Sequence, residues 1–111
     1  MYSTVKVGDR EIEMAANAAS PFIYKNIFHE DFLKKVQEPE PDVEIFQKMG
    51  YVMASQAAIE KFSDLMKLNI DTYIEWLAGF EPMDLVLASS AIMNAYMGQS
   101  FSDSVPKNEG G

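Results

Sequence analysis

His29 is the only histidine in the chain, and it sits beside two carboxylates, Glu30 and Asp31. These are the residue types of a metal corner, or of a base with an orienting acid. Neighbouring positions do not converge on one point, however, and there is no second histidine and no cysteine to complete a site. A residue at the joint between two helices is the plainer reading. Glu60 with Asp64 and Asp71 with Glu75 are spaced so that a helix would put each pair on one face, where it could hold a cation or act as acid and base. Solvated helix faces carry such pairs routinely. No glycine-rich phosphate loop is present, and no nucleophile motif surrounds any serine. The absence of cysteine excludes disulfides, thiolate zinc and thiol catalysis. The expectation is a protein that is not an enzyme and needs no cofactor or metal.

The more suggestive residues are apolar. Met14, Met49, Met53, Met66, Met83, Met93 and Met97 supply unbranched, polarizable side chains that adapt to varied apolar partners. Filling gaps in a helical core is the ordinary use of methionine; Met93 and Met97, near the chain end, are the pair expected to be exposed. Gly50, Ala54, Ala57 and Ala58 would keep one side of a helix thin enough for another backbone to approach. Trp76, with Tyr73 and Phe80 nearby, has the composition of an interface anchor or of a core cluster. The candidate protein-binding residues are therefore Gly50, Met53, Ala54, Ala57, Trp76, Met93 and Met97.

The elements that must position them read as follows. The stretch Asp42–Lys67 has the pattern of one long central helix, capped by Asp42 after the Glu38-Pro39-Glu40-Pro41 linker. Val43, Phe46, Gly50, Met53 and Ala57 form one apolar line along it. Ile45, Met49, Val52, Ile59, Phe62 and Met66 form a second, so the helix should be covered from more than one side. Residues 2–14 read as a β-hairpin turning at Gly8-Asp9, with Val5, Val7, Ile12 and Met14 on the face to be buried. Ser20-Pro21 should start a short helix through Phe28, Ser20 acting as its cap. Asp31 should start another through Val36. Asn69 or Asp71 can cap a helix carrying Tyr73, Ile74, Trp76 and Leu77, with Gly79 as the left-handed residue beyond its end. Pro82 or Asp84 should open a last helix that stops at Gly98. The fold class is mainly α (α+β), a compact domain of four to five helices over residues 1–98 with a small N-terminal hairpin. Residues 99–111 should form a disordered tail.

The totals agree with a single domain. In 111 residues, 48% of them apolar, there is enough for one core and not for two. No run of roughly 18 apolar residues exists, and no basic-then-apolar leader opens the chain, so neither a membrane span nor a signal peptide is expected. The formal net charge is −8. Residues 1–35 are balanced, and residues 36–111 carry four lysines against twelve acids. Such a surface repels phosphate, which argues against nucleic acid and anionic membrane as partners.

At Phe22-Ile23-Tyr24-Lys25-Asn26-Ile27-Phe28-His29-Glu30-Asp31-Phe32-Leu33 the sequence resembles the short tail assembly chaperones of long, non-contractile-tailed bacteriophages and related prophages of Gram-positive bacteria. In that family a small N-terminal strand or hairpin precedes a Tyr-Lys-x-x-Phe-Gly-x-Asp-like segment. A charged spacer follows, then a central helix similar to Tyr51-Val52-Met53-Ala54 and a Phe…Trp-Leu stretch like Phe62 and Trp76-Leu77. The resemblance spans roughly residues 4–97, and His29 stands where the family usually has glycine. It implies a non-catalytic chaperone of the bacterial host cytoplasm. Such a protein coats the tape measure protein before the tail tube polymerises, with the tail tube protein as a further partner and self-association into a homo-oligomer as an option. Some members also have a longer, frameshifted form. Two other classes compete: an acidic, DNA-mimicking inhibitor, whose carboxylates would need duplex-like rows rather than the scatter seen here, and an enzyme or metal protein built on His29; a host-protein adaptor or a structural tail component is a further option.

Overall fold

The computed structural model describes residues 2–101, and its fold is mainly α with an N-terminal two-stranded antiparallel hairpin. Strand β1 spans Tyr2–Val7 and β2 spans Arg10–Ala15, with Val5 opposite Ile12 and Val7 opposite Arg10. Gly8 takes φ +62 while Asp9 does not share the positive φ, the pattern of a II′ turn with glycine in its first central position. A side chain at Gly8 would also collide with Asp84, whose Oδ2 would lie 2.7 Å from the new Cβ. Val5, Val7 and Met14 are buried on the inner face, and Ile12 is half-buried. Two strands cannot bury enough surface by themselves, and this hairpin lies across helices.

Helix α1 (Ser20–Phe28) and helix α2 (Phe32–Val36) follow, then the central helix α3 (Val43–Ala58). After these come α4 (Phe62–Leu65), α5 (Ile70–Leu77), α6 (Asp84–Leu87) and α7 (Ser89–Phe101). Helix α3 packs against β2, α7, α1, α6, α2 and α5. Its middle, from Met49 to Met53, is buried all round.

Several caps follow the sequence. Asp42 accepts from the Glu44 N–H at 3.0 Å, and Asp31 accepts from the Lys34 N–H at 3.2 Å. Asn69 and Thr72 form a reciprocal capping box at the start of α5, and Tyr51 donates to Thr72 Oγ1 at 2.7 Å, tying that start to α3. Ser20, expected as a cap, instead faces inward. It is fully buried, its hydroxyl accepts from the Asn17 N–H, and it donates to Gln56 Oε1 at 2.6 Å. Asn17 takes over the local turn by accepting from the Ala19 N–H at 2.8 Å.

The single helix expected over Asp42–Lys67 is broken. Ile59 and Lys61 are extended, with φ/ψ of −111/121 and −88/127. No glycine or proline forces this; packing does. The 16 residues of α3 span about 24 Å. Continued straight, the helix would carry Leu65 and Met66 away from the rest of the domain. By turning, the chain buries Leu65 and brings Ile59 and Met66 onto the core, where Asn26 Nδ2 donates to the Met66 carbonyl at 3.2 Å.

The last helix is also divided, at Ala88. Ser89 Oγ donates back to the Leu85 carbonyl at 3.2 Å, a bond that competes with the backbone ladder and bends helices. Gly98 does not stop the helix, which runs on through it to Phe101. That helical run also overrides the expected tail at its first three positions; the rest of that tail, residues 102–111, lies outside the described residues. Gly79 is not left-handed, since Gly8 is the one glycine of positive φ among the described residues. The left-handed residue at a helix end is His29 instead, at φ 59 and ψ 34, its N–H bonded to the Lys25 carbonyl at 2.8 Å.

A β-carbon is costly in that conformation, and glycine avoids the cost while losing more freedom on folding. His29→Gly should therefore raise stability by about 0.5–1 kcal/mol, read as a higher denaturant midpoint at unchanged slope.

Candidate protein-binding surfaces

The residues that could do chemistry do not assemble. His29 is exposed at the end of α1, Asp31 is occupied as the cap of α2, and Glu30 turns the other way, toward α3. Glu60 lies in the extended break while Asp64 sits within α4, paired with Lys67 at 3.4 Å, so they share no helix face. Asp71 and Glu75 are exposed on α5. Among the described residues no group of three or more potential ligands could hold a metal ion.

Glu30 is instead a structural hub. Its Oε2 accepts from Lys48 Nζ at 2.6 Å and from the Tyr24 hydroxyl at 3.4 Å, and Lys35 lies 3.8 Å from Oε1. Burial pushes the Glu30 carboxyl up, but the hydrogen bond and charge of Lys48, joined by Lys35 and Tyr24, outweigh it and hold the group below its usual range. Burial, then the charge of Glu30, pushes the Tyr24 hydroxyl up. Lys48 also lies 5.2 Å from the centre of the Phe28 ring, so this cluster ties the α1–α2 joint to α3.

Behind it stands an aromatic stack. Phe28 meets Tyr73 edge-on at 4.9 Å, Tyr73 meets Tyr51 at 5.5 Å, Tyr51 meets Trp76 at 5.4 Å, and Trp76 meets Phe80 at 4.9 Å. Trp76 is thus a half-buried end of a core cluster with one side toward a groove. Arg10 completes that end, with its guanidinium 4.4 Å from the centre of the Phe80 ring and Nη1 donating to the Gly79 carbonyl at 3.1 Å. The Tyr73 hydroxyl is buried and, among the described residues, has no hydrogen-bond partner.

The seven candidate binding residues fall into three groups. Gly50 and Met53 are buried and unavailable to a partner, and at Gly50 the space is taken by this chain's own α7: a Cβ there would stand 3.0 Å from Ile92 Cδ1. Ala54, Ala57 and Trp76 line a groove of about 360 Å³ with Ala58 and the run Arg10, Glu11, Ile12 and Glu13 of β2. Met93 lines a second groove of about 440 Å³ with Val43, Phe46, Val86, Ser89, Ser90 and Asn94, between the first turns of α3 and the α6–α7 bend. Met97, 40% exposed, lies one turn further along α7.

Sequence reasoning missed Val43 and Phe46 as surface, because they lie on the same apolar line as Gly50 and Met53. The line is covered in its middle and only partly covered at its N-terminal end, where Val43 is exposed and Phe46 half-buried. The Pro-rich linker just before Val43 was the available signal that this end is not continuous with the preceding helix. Leu87, 78% exposed, and the Phe22–Phe62 stack at 6.4 Å were missed for the same reason: periodicity finds apolar faces, not what covers them.

No family model, curated protein or solved structure matches this chain. Among the described residues no helix is long and apolar enough to cross a membrane.

Two tests follow from this geometry. The Glu30 carboxyl is depressed on folding, so its contribution is present above the ordinary carboxylate range and is lost as pH falls through its lowered value. Lys48 and Glu30 side chains are 17% and 21% exposed. Lys48→Met should cost about 1 kcal/mol at pH 7 and markedly less near pH 2, measured by urea melts at both. Tyr73→Phe removes a buried hydroxyl without a partner and should leave stability unchanged or raise it by about 1 kcal/mol, whereas an equal loss would reveal a hidden hydrogen bond.

Proposed function

We propose that this chain is a non-catalytic assembly chaperone of the phage tail type, which shields an amphipathic helical stretch of a tape measure protein in the bacterial cytoplasm. The observation that carries the reading is the groove between α3 and the α6–α7 bend. Val43, Phe46, Val86 and Met93 present an open apolar floor there, with Leu87 and Met97 exposed nearby. A long helix lays such a stripe into a groove of adaptable side chains, and methionine suits a client whose residues vary along its length.

Two further features support it. The turn after α1 is left-handed at His29, where members of the resembled family usually carry glycine, so the backbone there has the form that a glycine would favour. The net charge of −8 would keep copies arrayed on one client from adhering to each other.

Co-expression with helical segments of a tape measure protein should yield a soluble complex that co-purifies. Phe46→Glu and Met93→Glu should each weaken it by about tenfold or more, since each places a charge against apolar client surface. Unchanged capture by both variants, in protein that melts like the parent, would refute this groove as the binding site.

A further inference from the structure

The second groove differs from the first in kind, because it runs along the edge of a strand. Arg10, Glu11, Ile12 and Glu13 all line it, although successive residues point to opposite faces of a hairpin. Only a cavity beside the strand can touch all four.

The two-residue turn makes Val7 and Arg10 a hydrogen-bonded pair, and alternation along the ladder then turns the N–H and C=O groups of Glu11 and Glu13 outward, away from β1. Native proteins usually cover such an edge with long side chains, a bulge, proline or lysine. Here the helix beside it offers Ala54, Ala57 and Ala58, which are too short to cover it, and Trp76 walls one side. What remains as protection is Glu11 and Glu13, both exposed and, among the described residues, in no ion pair with Lys6 across the ladder or with any other cation. Arg10, the one cation lining the groove, is committed to the Gly79 carbonyl and the Phe80 ring.

We infer that the free edge of β2 accepts an extended basic segment of a partner protein as a third strand. Alternation dictates its chemistry. Residues on its outer face meet Glu11 and Glu13 and are Lys or Arg; residues on its inner face lie over Ala54, Ala57 and Ala58, against Trp76, and are apolar. The same two glutamates disfavour a second copy of this chain, since pairing β2 with β2 would set carboxylates against carboxylates. This surface is separate from the α3–α7 groove and does not depend on what fills it.

Trp76 is the only tryptophan and reports on the groove directly. The full chain is titrated with a peptide of about ten residues alternating lysine and valine, with the same peptide N-methylated along one edge, and with a glutamate–valine counterpart. The lysine peptide should change Trp76 fluorescence saturably and slow amide exchange at Glu11 and Glu13. N-methylation should abolish both effects, and the acidic peptide should bind roughly tenfold more weakly. In Glu11→Lys/Glu13→Lys protein the preference between the two peptides should reverse. Equal binding of both peptides, undiminished binding of the N-methylated one, protection confined to other residues, or edge protection that appears only as the protein itself is concentrated would each overturn the inference.

Discussion

Gly50 and Ile92 meet where α3 passes under α7, and their fit sets the architecture of the domain. With no side chain at position 50, α7 settles close enough that Ile92 would stand 3.0 Å from any added Cβ. That approach lets α7 and the hairpin, which also pack on each other, both cover α3. The middle of α3 then becomes the single dry centre of the molecule, with Met49, Val52 and Met53 all buried. In a chain this short such a centre is hard to build, because surface is large relative to volume. The consequence is that the ends of α3 and the outer sides of its cover are left partly bare.

The bare surface is organised by the same geometry. At its N-terminal end α3 runs beside the first turns of α7 without close packing, which leaves Val43 exposed, Phe46 half-buried and a trough beside Met93. Toward its C-terminal end the small side chains of Ala54, Ala57 and Ala58 leave the strand edge above them open. The two grooves thus lie along α3 at opposite ends, one against the α6–α7 bend and one against β2. They differ in chemistry. The first is walled by flexible apolar side chains; the second offers backbone hydrogen-bonding groups flanked by glutamates. A partner recognised at one has no reason to be recognised at the other.

Polar contacts fix the joints rather than the core. Glu30 ties the α1–α2 corner to Lys48 on α3, Ser20 and Asn17 tie the start of α1 to Gln56 near the other end of α3, and Tyr51 reaches Thr72 at the head of α5. Each spans two elements that apolar burial alone would leave free to slide. Arg10 does the same for the turn after α5, combining a carbonyl bond with a ring contact. Of these, the Glu30–Lys48 and Arg10–Gly79 contacts are the charge-assisted ones, which are stronger than neutral hydrogen bonds.

Local chemistry was legible from the residues themselves. The hairpin and its turn followed from Gly8-Asp9 between alternating runs, the helix starts from Asp31, Asp42 and the Asn69–Asp71 pair, of which Asn69 is the cap, and the centrality of α3 from its two apolar lines. All of these depend on interactions within a few residues, or on a period that repeats along one element. The break at Ile59, the bend at Ala88, the inward turn of Ser20 and the left-handed His29 were not legible, because each is set by what lies across the domain or by a competition between nearly equal local states. Sequence alone determined which residues would be apolar, capped or turned. Only the tertiary structure decided which apolar residues would stay uncovered, because Val43, Phe46, Gly50 and Met53 share one helical line and differ only in how far along it α7 and the hairpin reach.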